Sequence, residues 1–230
     1  MDKTFDNYIT DAESKEIVEE LKDLTYDPGA SFSPLILHGK SGVGKTHLCE
    51  AIRQEWENTV IYPAEEIKAR IIKVLSNEIT EEEFFALFAN HHVIMDDAQQ
   101  FMFLTEVVDF GWNTVYFHWD EVQDLIAKFI INQRENGFYV ILVFDDSFNK
   151  NRLNQNMRFV LPYGEVLRVP EPDRDTRARY CKEAFHRHNI NFSDEEAGIF
   201  VDAWGPTIPR INAAIRAVLA KRQFRTGMEE

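Results

Sequence analysis

The chain is poor in cysteine: Cys49 and Cys181 are the only two among 230 residues. They lie far apart in sequence and lack metal-ligand spacing, which excludes a disulfide scaffold and a cysteine-held zinc site. Both read as buried, reduced, small hydrophobes. Positive charge is also scarce. Lys and Arg total 25 against 39 Asp and Glu, a net charge of −14. Phosphate backbones repel such a chain at long range, which excludes a general nucleic-acid coat protein and leaves room only for a local basic strip. No run approaches the roughly 18 apolar residues that would cross a bilayer. Met1-Asp2-Lys3-Thr4-Phe5-Asp6 holds no basic stretch followed by an apolar one. No signal peptide and no membrane partner are therefore expected, and the expected location is the cytoplasm. Internal repeats and low-complexity blocks are missing too. Hydrophobic residues nevertheless make up 44% of the chain and charged residues 28%, which excludes global disorder and suits one large domain or a domain with a small lid.

Hydrophobic patterning divides what is there. Ile17, Val18, Leu21 and Leu24 keep helical spacing after residue 11, and Asp27-Pro28-Gly29-Ala30 ends that helix. Short apolar runs of the buried parallel-strand kind fall at 34–38, 59–62, 92–95, 139–144 and 166–169. Helical patterns separate them at 47–56, 64–75, 81–88 and 120–135. Alternating strands and helices predict an α/β body over 1–170, a parallel five-stranded sheet with helices on both faces. After Pro170-Glu171-Pro172, a natural hinge, the texture becomes helical at 173–188, 193–204 and 209–225. Ser193 with Glu196 forms a capping box and Pro209 suits a first helical turn. The expectation is a small three-helix lid over 171–230.

Gly39-Lys40-Ser41-Gly42-Val43-Gly44-Lys45-Thr46 satisfies G-x-x-x-x-G-K-[ST] between an expected strand and an expected helix, the context that makes the motif informative. Its glycines let several backbone N–H groups turn inward, and the helix that follows adds its positive end. Lys45 is placed to contact β- and γ-phosphates, and Thr46 to offer a hydroxyl to Mg²⁺. Asp96 and Asp97 end the strand at 92–95. There Asp96 would hold Mg²⁺, mostly through water, and Asp97 would orient or deprotonate an attacking water. The plainer alternative is that the pair ends a strand and caps the next helix. His91 and His92 read as surface or edge residues.

Four stretches together resemble the AAA+ ATPase module of the bacterial replication initiator DnaA and its stand-alone relatives, the Hda and DnaC-type proteins. They are Thr4 to Ile9, similar to the family's adenine-pocket segment; Pro34 to Leu48, with the phosphate loop and its Thr46-His47-Leu48 tail; Val93 to Gln99, with its Asp-Asp pair; and Pro170 to Arg177, similar to the start of the family's lid. The resemblance implies a P-loop AAA+ fold that binds ATP or ADP with Mg²⁺. It implies nucleotide contacts from Phe5, Tyr8, Gly39, Gly42, Val43, Gly44, Lys45, Thr46 and His47, with Thr46 and Asp96 at the metal. Asp145 matches the sensor that reads the γ-phosphate, and Arg210 the lid arginine that touches nucleotide. Arg158 matches an arginine finger that reaches a neighbour's ATP. Arginine suits such work because it is always charged and carries a forked donor set.

Departures from the family shape the rest. The chain ends at Glu230, just after the last expected lid helix, so no helix-turn-helix and no sequence-specific duplex binding are expected. No Gln-Leu-x-Leu-Pro clamp motif precedes Phe5, and Asn154 stands where the initiator carries a second basic residue, which weakens self-assembly. The segment from Phe101 to Trp119 holds Phe103, Phe110, Trp112, Tyr116 and Phe117 as well, and reads either as a partner-docking element or as a hairpin packed on its own domain. Lys68, Arg70 and Lys73 could touch single-stranded DNA, although Glu65, Glu66 and Glu78 dilute them and a solvated helix face is the better reading. The leading expectation is an ATP/ADP-binding switch in replication initiation or its control, a slow Mg-dependent ATPase that contacts another AAA+ or replication protein. The alternatives are a non-hydrolysing nucleotide-bound adaptor and a P-loop small-molecule kinase.

Overall fold

The computed structural model describes residues 2–26, 33–103, 106–109 and 114–226. In chain order the elements are α1 (Ala12–Tyr26), β1 (Leu35–His38), α2 (Lys45–Glu55), β2 (Thr59–Tyr62), α3 (Ala64–Leu75), α4 (Glu81–Ala86), β3 (His92–Met95) and α5 (Gln99–Met102). A hairpin of β4 (Glu106–Asp109) and β5 (Thr114–Phe117) follows, then α6 (Trp119–Glu135), β6 (Val140–Phe144), α7 (Gln155–Val160) and β7 (Glu165–Arg168). The chain continues into α8 (Arg174–His186), α9 (Asp194–Trp204) and α10 (Ile208–Thr226). The breaker at 27–30 lies outside the described residues.

Five parallel strands order as β2-β3-β6-β1-β7, as expected for a sheet covered on both faces. Side chains alternate across it with period two. Leu35 and Leu37 of β1, with Ile141 and Val143 of β6, pack against Leu21 of α1 and Leu48 and Ile52 of α2. Ile36, Leu142 and Phe144 point to the other face, where Ile67 of α3, Phe84 of α4 and Phe129 of α6 meet them. β1 sits between β6 and β7, so the chain leaves it toward one side and returns on the other. That is the switch point at whose carboxyl edge ligands bind in open α/β sheets.

Two points left open by the sequence are settled locally. Helix α2 begins at Lys45, two residues before the apolar pattern at 47–56 and next to the loop's last glycine, because Gly44 adopts a left-handed conformation (φ 103°) at its N-cap. Phe101 is fully buried in the core and Phe103 lies half-buried with the Arg152 guanidinium 4.1 Å above its ring. These two aromatics are therefore packing residues, not docking anchors. Residues 106–109 and 114–117 pair as antiparallel strands, and Phe110 and Trp112 lie outside the described residues.

Buried amides hold the loops around α6. Gln123 donates to the carbonyls of Met102 and Arg152 and accepts from the Asn154 N–H at 2.7 Å. Asn154 in turn caps α7 by accepting from the Met157 N–H, and donates to Asp120 and Asp124. Where a basic side chain was the family expectation, this asparagine fixes the helix that carries Arg158. After β7, helices α8–α10 share a separate small core of Cys181, Phe185, Phe200, Val201 and Ile211. The Ser193–Glu196 capping box is formed, and Arg174 grips Asp202 through two bonds at 2.8 and 2.6 Å.

Candidate nucleotide-binding site

Strand register brings the chemistry together. His38 pairs with Phe144 and Met95 with Leu142, so the phosphate loop after β1, Asp96 after β3 and Asp145 after β6 emerge at one edge of the sheet. The loop leaves no room for a Cβ at Gly39, Gly42 or Gly44, and the last two positions show what covers it. A Cβ on Gly42 (φ 82°) would stand 2.2 Å from Pro209 Cγ, and one on Gly44 would stand 2.5 Å from Tyr8 Cε2. The loop is thus sandwiched between the N-terminal segment and the first turn of α10.

Lys45 is 9% exposed. Its ammonium donates to the carbonyls of Gly39 (2.7 Å) and Lys40 (2.9 Å). Burial draws its pKa down, and the carboxylates of Asp96, Asp97 and Asp145 act against that shift. The three acids share the sheet edge from which the Lys45 loop emerges. The Thr46 hydroxyl donates to Asp96 Oδ2 at 3.1 Å. Asp97 is exposed and holds a left-handed backbone (φ 53°), an uncommon state for a residue with a side chain. Its N–H donates to Asp96 Oδ1, and its own Oδ1 accepts from Gln99 Nε2 at 3.1 Å. Asp145 accepts from the Ser147 N–H at 2.9 Å and from the Ser147 hydroxyl.

Beside the loop lies a cavity of about 280 Å³. Its wall includes Tyr8, Ile9, Val43, His47, Tyr180 and Ile208. Drug-sized sites run from about 300 Å³ upward, so this space has room for a group smaller than that, of the size of a nucleobase. The Tyr8 hydroxyl donates to the Val43 carbonyl at 2.7 Å, and His47 Nε2 sits 2.9 Å from the Thr4 carbonyl oxygen. Phe5 is placed otherwise than the resemblance implies: its ring is buried in the core beneath α1 and α2 and is no part of the cavity wall. The same segment reaches the lid. The Asp173 N–H donates to Asp11 Oδ2 (3.1 Å) and Arg179 Nη2 to the Thr10 carbonyl (2.6 Å). Sequence reasoning missed these links and Tyr180, because none of them belongs to a local pattern.

Burial first, and Asp11 second, push the Tyr8 phenol up to about 12 from 10.0. A raised folded-state pKa means that stability is fully present below pH 10 and is lost as pH rises through the window from 10 to about 12. Tyr8→Phe is expected to flatten the alkaline limb of a urea-midpoint profile across that window. A slope equal to the wild type's there would remove Tyr8 as its source.

The two arginines are placed differently. Arg210 is exposed in the first turn of α10, next to the Pro209 that covers Gly42, and makes no hydrogen bond or ion pair among the described residues. Arg158 is exposed on α7, donates to the Asn151 carbonyl at 2.8 Å and does not line the cavity. Phe159 and Tyr163 are exposed beside it, 64% and 47%. In the basic strip, Arg70 lies over the rings of Tyr62 and Phe88 at 5.3 and 5.4 Å and pairs with Glu66. Its charge is engaged locally, which favours the solvated-face reading of α3.

The donor set suits Mg²⁺ with a nucleoside triphosphate. Thr46 and Asp96 offer hard oxygens, and Mg²⁺ normally takes one or two carboxylates with water and phosphate. Among the described residues no group of three or more His, Cys, Asp or Glu could hold a metal unaided. The loop, the acids at the strand ends and the β2-β3-β6-β1-β7 order define a P-loop module of AAA+ type. A family model for the bacterial DnaA ATPase domain matches residues 1–128, and the chain belongs to that family. The chromosomal replication initiator DnaA of Mesoplasma florum is 34% identical over 176 residues, covering 73% of this chain and 36% of that protein. The chain spans less than half the length of the curated relatives it matches. Domain III of Thermotoga maritima DnaA superposes with TM-score 0.77 at 17% identity, covering 98% of this chain and 90% of that one. A replication initiator DnaA bound to AMPPCP and single-stranded DNA superposes with TM-score 0.73 at 18% identity, covering 97% and 68%. These superpositions establish the fold.

Proposed function

We propose that the chain binds ATP and ADP with Mg²⁺ in this cleft, turns ATP over slowly, and acts as a nucleotide-dependent switch in replication initiation or its control. The observation that carries the reading is the Thr46 hydroxyl on Asp96 beside the buried Lys45, at the sheet edge where Asp97 and Asp145 also emerge. A kinase acting on a small molecule would need a second substrate pocket at that mouth. The helical lid seated on Gly42 favours a switch instead.

In this reading the body over 1–170 holds the nucleotide and the lid over 171–230 responds to it. Tyr8, Val43 and His47 enclose the base. The loop N–H groups of Gly42, Gly44 and their neighbours and the Lys45 ammonium hold the phosphates. Thr46 and Asp96 would hold Mg²⁺, which neutralises charge on the phosphate oxygens. Asp97 accepts a proton from the water whose oxygen bonds to the γ-phosphorus, while the β–γ bridging oxygen departs with ADP. Asp145 senses the γ-phosphate. Arg210 follows the same group from the lid, and the contacts of Thr10 and Asp11 with α8 carry loop position to the lid by a second route.

Arg158, with exposed Phe159 and Tyr163, suits a face offered to the ATP of a neighbouring AAA+ chain. An arginine supplied in trans raises turnover by roughly 10³–10⁵, which makes the isolated chain slow. The partner is another AAA+ or replication protein, a second copy included. The test is mass in solution without nucleotide, with ADP and with ATP, for the wild type and Arg158→Ala. ATP-dependent assembly that Arg158→Ala abolishes is expected. A monomer in all three states contradicts self-assembly and assigns the finger to a different chain.

A further inference from the structure

One side chain, Gln99, connects the turn after β3 to the end of β6, reaching Asp145 46 residues away. Gln99, the first residue of α5, donates from Nε2 to Asp97 Oδ1 and accepts at Oε1 from the Asp145 N–H, both at 3.1 Å. The amide is asymmetric, and only this orientation satisfies both neighbours: the flipped amide would set oxygen against carboxylate and NH₂ against N–H. Gln99 is the hydrogen-bond partner of the Asp97 carboxylate among the described residues. Asp97 is exposed on a left-handed turn, and this bond gives its carboxylate a fixed neighbour. The adjacent Ala98 N–H donates to the Val143 carbonyl at 2.7 Å, which pins the base of the same turn to β6.

Resting on the reading above, we propose that Gln99 is a positioning residue: it ties the carboxylate that activates water to the end of the strand that reads the γ-phosphate. Both Asp97 and Asp145 must address one phosphorus atom from different strands. A rigid amide between them fixes that separation, and a misplacement of about 1 Å can cost on the order of 10²-fold in rate. A merely structural glutamine would serve only the Asp145 N–H.

Two substitutions separate these roles. Gln99→Glu keeps an acceptor for the Asp145 N–H but sets a carboxylate against Asp97. Gln99→Leu removes both bonds. In the full chain, both are expected to lower kcat for ATP by about 10- to 10²-fold, with ADP affinity by calorimetry within about twofold of wild type. Hydrogen exchange at the Asp145 amide is expected to quicken in Gln99→Leu and to stay near wild type in Gln99→Glu. Wild-type kcat in Gln99→Glu, or ADP affinity falling in step with kcat, overturns the inference and leaves the functional reading standing. A wild-type chain that binds ATP but never turns it over overturns the inference and leaves nucleotide binding standing. A wild-type chain that binds no nucleotide overturns both.

Discussion

Replacing Lys45 with alanine is expected to weaken ATP binding by roughly 10²–10⁴-fold while leaving a folded protein. Charge-assisted hydrogen bonds contribute about 1.5–3 kcal/mol each, and the ammonium can make two to phosphate oxygens. The lysine is buried and donates to two carbonyls of its own loop. Alanine removes those bonds, but it also removes a buried cation whose desolvation the structure must offset. The two effects oppose one another, so the thermal midpoint is expected to move little. Calorimetric Kd values for ATP and ADP, with a melting curve for each protein, check both halves. Unchanged affinity in a folded Lys45→Ala chain would mean that the loop does not bind phosphate.

The second large effect is on turnover. Asp97→Asn is expected to lower ATP hydrolysis by roughly 10²–10⁴-fold, the range that general-base catalysis supplies. The substitution isolates proton transfer. Asparagine has nearly the same size and tolerates the left-handed backbone that Asp97 adopts, and its Oδ1 can still accept from Gln99. Neither the turn nor the bridge to β6 need move, so nucleotide affinity is expected to stay close to wild type. Phosphate release under single-turnover conditions measures the step directly. Full turnover in Asp97→Asn would leave Asp97 a strand-end cap. A wild type without turnover would favour the nucleotide-bound adaptor.

Much of the fold was legible because buried parallel strands leave unbroken apolar runs. Thr59–Tyr62 and His92–Met95 fall where those runs do, and the helices between them follow from their 3.6-residue period. The start of α2 followed from the glycine motif and not from hydrophobic spacing, since it depends on the backbone of Gly44. Lys45, Thr46, Asp96, Asp97 and Asp145 could be named as candidates, and sheet register gathers them at one edge. Three things could not be read. Phe5 looked like a cavity residue, but its ring turns into the core while its neighbour Tyr8 lines the wall. Phe101 stood open between docking and packing, and one short helix buries it completely. Gln99 meets Asp145 only because β3 and β6 are neighbours, a pairing that no local pattern encodes.

The N-terminal segment shows how such contacts make one device of several parts. Tyr8 holds the loop at Val43, and two to three residues later Thr10 and Asp11 hold α8. In the proposed function, these are the contacts through which a shift of the loop on binding phosphate would reach α8. Pro209 on Gly42 supplies a direct contact between the same two parts.

The account stands on nucleotide binding, and titration calorimetry of the purified chain with ADP and with ATP in Mg²⁺ tests that most directly. One saturable site per chain for each nucleotide, lost in Lys45→Ala, is the result expected. Heats of dilution alone with both nucleotides would contradict the account.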